Sequence, residues 1–238
     1  MTTTCAGCRR EFETEQVTMF RFTFPADRYC AFCRGAREAE STQHRLDQLF
    51  ERTGLPPEYR DCRFESFETR PGTGDALALA RRWSTEFRQG GRPRRGILFH
   101  GPTGSGKTHL AAAIVREAIL MREVACLFLN VPSWLQRPRD LRAYSGGDEL
   151  EWTFPRGFEI VVIDDLGTEH GDGWTRDRLY SLINDRETRA RLTLATTNLE
   201  LGELESRLGK ATYSRLGKLC QPVRLDPADD YRLRQSAA

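Results

Sequence analysis

The chain has 238 residues, enough for one substantial domain and a smaller one. Its 36 Lys and Arg stand against 34 Asp and Glu, a net charge of +2, so no global basic field announces nucleic acid and any such surface must be local. No apolar run approaches the length of a membrane span, and Met1-Thr2-Thr3-Thr4-Cys5 lacks the charged and apolar regions of a signal peptide, so a cytoplasmic protein is expected.

Four of the seven cysteines fall in two pairs, Cys5-Ala6-Gly7-Cys8 and Cys30-Ala31-Phe32-Cys33. Each pair is a knuckle that can present two thiolates to one tetrahedral ion, so a structural Zn²⁺ site is expected in a module of residues 1–35. A redox pair would need only one such motif in a βαβ setting, and four ordinary buried cysteines is the bland alternative. Between the knuckles, Val17 to Phe24 alternates apolar and polar residues and reads as a strand. From Arg34 to Arg52 the pattern turns helical, with Leu46, Leu49 and Phe50 as a thin apolar stripe, and it stops at Gly54-Leu55-Pro56-Pro57. Residues 36–56 are thus expected to be a helix and linker. The arginines of that helix default to a solvated face, and whether the module meets DNA or protein stays open.

Residues 57–238 read as an α/β domain. Asp75 to Gln89 is helical, and Ile97-Leu98-Phe99 is a short strand. Next comes Gly101-Pro102-Thr103-Gly104-Ser105-Gly106-Lys107-Thr108, a complete G-x-x-x-x-G-K-[ST] phosphate loop opening a helix to about Arg122. Glycines let backbone N–H groups converge on one concavity, Lys107 adds a charge for the outer phosphates, and Thr108 is placed to ligate Mg²⁺. Val124 to Asn130 and Phe158 to Asp165 are continuous apolar runs, suited to strands buried on both faces of a parallel sheet. The second ends in two carboxylates at the rim where ligands bind, with Asp164 placed to hold Mg²⁺ through water and Asp165 to polarise an attacking water. A turn cap is the alternative use of that pair. Trp174 to Arg189 is expected to be a helix with Leu179, Leu182 and Ile183 inward and Arg176, Arg178, Arg186 and Arg189 mostly on a solvated face. A third strand, Leu192 to Thr196, leads to Asn198, whose side chain can reach the same water. A helical stretch from Leu201 to Leu216 and a last strand over Pro222 to Leu225 follow.

The expected fold is therefore a P-loop NTPase, a parallel sheet with helices on both faces. Only 23 residues follow Arg215 (238 − 215), too few for a helical lid, so the site is expected to be completed by a neighbouring subunit. Arg215 is the candidate for an arginine supplied in trans.

The run from Gly101 through Thr108, His109, Leu110 and Ala111, together with Ile163-Asp164-Asp165-Leu166-Gly167, Ala195-Thr196-Thr197-Asn198-Leu199 and Ser214-Arg215-Leu216, resembles the DnaC/IstB branch of the AAA+ ATPases. Gly54-Leu55-Pro56-Pro57-Glu58-Tyr59-Arg60, with Phe64 and Phe67, and the closing Asp230-Tyr231-Arg232 are similar to that family too. The likeness covers roughly residues 54 to 232. It implies an ATP-dependent assembly factor in which Gly101 to His109 bind ATP, Asp164 and Asp165 form an acidic pair, Asn198 is a sensor, and Arg215 a finger toward a second copy. It also implies Phe67 near the adenine. Lys210 stands where members often carry a further arginine.

Members of that family act as loaders of a hexameric replicative helicase or as transposition helpers that assemble on DNA, and the zinc knuckles resemble some loaders more. A loader-specific insertion would fall at Ser133 to Tyr144, where Trp134, Arg137, Arg139, Arg142 and Tyr144 interleave rings and charges suited to single-stranded DNA. A solvated loop with a few packed aromatics is the alternative. A small-molecule P-loop kinase would need an arginine-bearing lid, and a sequence-reading DNA-binding protein would leave the ATPase vestigial.

Overall fold

The computed structural model describes residues 1–19, 22–135, 155–168, 173–227 and 231. The chain divides into two compact units, Met1–Gln48 and Leu49–Ala238. Among the described residues no helix is long and apolar enough to cross a membrane.

In the first unit β1 (Thr2–Thr4) pairs antiparallel with β2 (Glu11–Glu13). The stretch expected to be one strand is instead a hairpin of β3 (Gln16–Met19) and β4 (Phe22–Pro25), with Met19 opposite Phe22 and Val17 opposite Phe24. The physical reason is phase. In a single strand Val17 and Met19 would face away from Phe22 and Phe24, whereas the antiparallel register puts all four on one side. Thr18 and Thr23 meet on the other, with their hydroxyls 3.2 Å apart. A long helix, α1 (Ala31–Arg52), follows.

The second unit is built on five parallel strands. These are β5 (Gly96–His100), β6 (Cys126–Asn130), β7 (Ile160–Asp164), β8 (Leu192–Thr197) and β9 (Cys220–Arg224), in the spatial order β6-β7-β8-β5-β9. The first four are buried throughout apart from Asn130, as their unbroken apolar runs require of strands covered on both faces. One face packs on α4 (Val131–Leu135), α5 (Gly173–Thr188), α6 (Leu201–Leu208) and α7 (Lys210–Leu219). Leu127, Leu129, Val161, Ile163 and Ala195 meet Leu179, Ile183, Leu204 and Leu216 there. On the alternate side α3 (Lys107–Arg122) lies against β6, β7 and β8 and packs on α2 (Gly74–Arg88). The helical stretch expected from Leu201 to Leu216 is two helices. Gly209, at φ 82°, breaks it, and α6 begins on a capping box in which Glu200 N–H donates to the Glu203 carboxylate at 3.1 Å.

Two expectations about side chains are corrected here. Arg186 does not lie on a solvated face but is 1% exposed. Its guanidinium donates to the carbonyls of Pro155, Phe158, Glu159 and Leu192 and to Thr193 Oγ1, closing the amino ends of β7 and β8, and burial pulls its pKa down to about 10. Five donors in a planar fork make that possible where a lysine could not. Arg186→Met is expected to lower unfolding free energy by about 2–4 kcal/mol, because the carbonyls stay buried and unpaired. Urea denaturation checks this, and a variant within about 0.5 kcal/mol of the parent contradicts it. Trp134 is likewise a core residue, 3% exposed, with the Arg178 guanidinium 4.3 Å from its ring centre, so it is not available to stack on a base. The short helix α4 turns it back under the sheet directly after β6. Arg137, Arg139, Arg142 and Tyr144 lie outside the described residues.

Candidate functional site

The phosphate loop leaves β5 at His100 and enters α3 at Lys107. Its shape depends on glycine: Gly101, Gly104 and Gly106 all have positive φ. A Cβ on Gly101 would lie 2.0 Å from the Leu225 carbonyl oxygen, and one on Gly106 would lie 2.5 Å from Phe67 Cε2. The Lys107 ammonium is buried inside the curve and donates to the carbonyls of Gly101 and Pro102 at 2.8 and 2.7 Å, with Ser105 Oγ at 3.3 Å.

Three parallel strands deliver polar groups to the same rim. The register sets Asn130 of β6 opposite Asp164 of β7 and Ile163 opposite Ala195 of β8, so the residues that follow converge at the carboxyl edge. Asp164, 4% exposed, accepts hydrogen bonds from Thr108 Oγ1 at 3.1 Å and Thr196 Oγ1 at 2.7 Å. Burial raises its pKa and Asp165 adds to that, while the Thr196 hydroxyl opposes it. Asp165 has a left-handed backbone, φ 57°, and its N–H donates to Thr196 Oγ1 at 3.0 Å. Its carboxylate lies between two amides, Asn130 Nδ2 at 3.4 Å and Asn198 Nδ2 at 3.5 Å. Thr108 and Asp164 together offer hard oxygen donors at one point, a set that fits Mg²⁺.

An open cavity of about 370 Å³ runs over the loop, reaching Lys107, Thr108, Asp165 and Asn198 on one side and Tyr59, Cys62 and Tyr231 on the other. A second, of about 300 Å³, adjoins it and is lined by Phe67, Arg70 and His109 among others. The Phe67 ring meets His109 edge-on at 5.5 Å, and His109 Nε2 is 2.8 Å from the Arg63 carbonyl oxygen. The lining is concave, with the Tyr59, Phe67 and Tyr231 rings beside Glu58, Asp61 and Glu68 at one end and Lys107 at the other, so a ring can stack at the first and phosphates meet the cation at the second.

Arg215 does not join this group. It lies on α7, which leads into the amino end of β9, whereas the loop follows the carboxyl end of the parallel neighbour β5. Its guanidinium pairs with the Glu187 carboxylate and sits 5.4 Å from the Tyr180 ring, and Lys218 holds the other Glu187 oxygen at 3.0 Å. Lys210, the first residue of α7, is exposed.

In the first unit the Sγ atoms of Cys5, Cys8, Cys30 and Cys33 all lie within 4.8 Å of one another. Cys8 and Cys30 are 3.8 Å apart, about the edge expected of a tetrahedron with 2.3 Å Zn–S bonds. Cys30 N–H donates to Cys5 Sγ at 3.3 Å, and with the backbone at Cys8 it holds the Cys5 thiol down at about 6, while burial and the neighbouring thiols push Cys33 up to about 12. Gly7 lets the first knuckle close on the second, since a Cβ there would lie 3.1 Å from Cys33 Sγ. The donor set and its spacing fit a zinc module.

Sequence reasoning missed Asn130, Thr196 and Arg70 at the main site. The end of each parallel strand was the signal that could have found the first two, since Asn130 and Thr196 close apolar runs. Arg70 sits in a loop and offered no such signal.

The family model described as IstB-like ATP binding protein matches residues 91–238. The replicative helicase loader DnaC of Escherichia coli K12 is 27% identical over 183 residues, covering 76% of this chain and 73% of that protein. Among solved structures, the DnaC helicase loader superposes with a TM-score of 0.63 at 23% identity, over 71% of this chain and 99% of the other. Domain III of the Thermotoga maritima replication initiation protein DnaA gives 0.61 at 21% identity, over 74% and 70%.

Proposed function

The chain belongs to the IstB-like ATP binding proteins, in the DnaC/IstB branch of the AAA+ ATPases, and from that premise we propose that it is an ATP-dependent loader of a hexameric replicative helicase. The observation that carries the choice is the four-cysteine cluster in a unit of its own ahead of the nucleotide-binding core. In this reading residues 1–35 are the zinc module that takes the helicase, 36–56 a helix and linker, and 57–238 the ATPase. The likeness to a DnaC loader over three quarters of the chain supports the same partner. Arg137, Arg139, Arg142 and Tyr144 keep a composition suited to single-stranded DNA without Trp134. The place of action is the cytoplasm.

The site residues divide the work. Loop N–H groups from Gly101 to Thr108 and the Lys107 ammonium bind the phosphates of ATP, and His109 and Phe67 bound the base end. Thr108 and Asp164 hold Mg²⁺, which when bound neutralises charge building on the transferred phosphoryl group. Asp165 accepts a proton from, and so orients, the attacking water. Asn198, beside it, senses whether the outer phosphate is present.

Arg215 completes the site of a second copy. The opposed placement of α7 and the phosphate loop along parallel strands supports this, because an arginine so placed is remote from its own loop. Mixing inactive Lys107→Ala and Arg215→Ala proteins in equal amounts is expected to restore about one quarter of the parent ATPase rate, since one interface in four then carries both groups. No recovery in the mixture contradicts a shared site.

A second reading, a helper ATPase that assembles on DNA and activates a transposase, draws on the resemblance to IstB-like proteins and not on the four-cysteine unit. Co-purification of the full chain with the replicative helicase of its host supports the loader. ATP-dependent filaments on duplex DNA, with no helicase bound, support the helper instead.

A further inference from the structure

The phosphate loop is braced from outside by Arg70 and Tyr231, two residues that line the cavities beside it and have so far been given no role. The Gly104 carbonyl accepts two hydrogen bonds, one from Arg70 Nη2 at 3.0 Å and one from the Tyr231 N–H at 3.2 Å. The Arg70 guanidinium carbon also lies 5.5 Å from the Tyr231 ring centre. These residues come from three distant stretches of chain: the turn before α2, the loop itself, and the segment beyond β9.

The turn is itself held. Arg70 N–H donates to Thr73 Oγ1 at 2.9 Å, and the same hydroxyl donates back to the Arg70 carbonyl at 2.8 Å. Gly72, at φ 81°, is pressed against the chain after β9: a Cβ there would lie 2.2 Å from the Asp226 carbonyl oxygen, and Asp226 N–H donates to the Gly72 carbonyl at 3.0 Å. One residue earlier, Leu225 N–H donates to His100 O at 2.8 Å, at the entrance to the loop. Arg70 is 8% exposed, so its position is fixed by surroundings and not by solvent.

We propose that Arg70 is a positioning residue for phosphate binding: by pinning the Gly104 carbonyl it sets the plane of the Gly104–Ser105 peptide and so presents the Ser105 N–H to the phosphates. A trans peptide is planar, with its C=O and N–H pointing in opposite directions, so two donors on the carbonyl fix the amide as well. The loop's glycines make its peptides free to turn, and an N–H that must be reoriented on binding weakens the complex by the cost of that reorientation. The Lys107 ammonium braces a different part of the loop, through the carbonyls of Gly101 and Pro102 and Ser105 Oγ. The inference rests on the loop's being the ATP phosphate site.

The test is a titration of the full chain with a fluorescent ATP analogue and with inorganic tripolyphosphate as competitor, in Arg70→Met and Arg70→Lys. Arg70→Met is expected to weaken both ligands by the same factor, about tenfold, the loss of one charged hydrogen bond. Arg70→Lys, which keeps one donor, is expected to lose about threefold for both. Thermal midpoints serve as the control for folding, and Arg70→Lys carries the test alone if Arg70→Met does not fold. Unchanged affinity in a folded variant overturns the proposal. A loss for ATP with none for tripolyphosphate overturns it too, because Arg70 would then act at the base end. A parent protein that binds neither ligand overturns the nucleotide reading itself, and the proposal with it.

Discussion

Replacing Asp165 with asparagine is expected to slow ATP hydrolysis by about two to four orders of magnitude while leaving ATP affinity within about twofold. Asn keeps the shape but only one of the two flanking contacts, because its amide nitrogen cannot accept from the second amide, and it loses the basic oxygen. The surroundings of Asp165 bear on why the loss is so large. Its backbone is left-handed, a conformation that costs a non-glycine residue on the order of 1 kcal/mol or more and that aspartate tolerates better than most. The structure maintains it with the Thr196 hydroxyl on its N–H and the Thr168 hydroxyl donating to its carbonyl at 2.7 Å. The Asn130 and Asn198 amides stand on either side of the carboxylate at hydrogen-bonding limits, so the group is aimed but not consumed. Single-turnover hydrolysis with a parallel binding titration checks the split. Equal loss of binding and rate would place Asp165 in holding the nucleotide and not in the chemical step.

Removing zinc should unfold the first unit and leave the second intact. Within residues 1–48 the only described residue that is buried is Cys5. The four apolar side chains of the β3–β4 face are 46–68% exposed, and α1 buries none. Two short hairpins without a core cannot offset the entropy of ordering about fifty residues, and a structural Zn²⁺ site contributes about 10–16 kcal/mol at neutral pH. Cys30→Ser, or a strong chelator, is therefore expected to abolish the dispersed amide resonances of residues 1–35 while the nucleotide-binding unit keeps its melting temperature within a few degrees. Metal analysis should give one zinc per chain. A first unit that keeps its resonances without metal contradicts the assignment. Under the proposal made above for this unit, the same exposed apolar face is a surface a helicase contact would cover.

Much of this was legible in sequence because parallel sheets write plainly. Continuous apolar runs ending in polar residues gave β6, β7 and β8 and put Asp164, Asp165 and Asn198 at one rim, and the glycine spacing gave the loop between β5 and α3. What escaped was decided by contacts that sequence does not display. Arg186 looks like any arginine on a helix face until the register of β7 and β8 leaves four carbonyls pointing at it. Trp134 looked available beside a basic stretch, yet α4 turns it under the sheet. The hairpin was hidden because each arm alternates on its own, and the slip of phase at Met19-Phe20 is a single step that an alternating pattern masks until the pairing of Val17 with Phe24 and Met19 with Phe22 is seen. Arg70 and Tyr231 reach the loop from segments more than thirty and more than a hundred residues away, a closure that no local pattern reports.

Nucleotide-gated delivery of a helicase is the central proposal. The most direct measurement is loading of the host replicative helicase onto circular single-stranded DNA coated with its binding protein, followed by strand unwinding, with and without this chain. The parent protein with ATP is expected to raise unwinding by about tenfold or more, Lys107→Ala to abolish the gain, and Cys30→Ser to do so through loss of helicase binding. Unwinding that is indifferent to the parent protein, or equally stimulated by Lys107→Ala, would contradict the proposal.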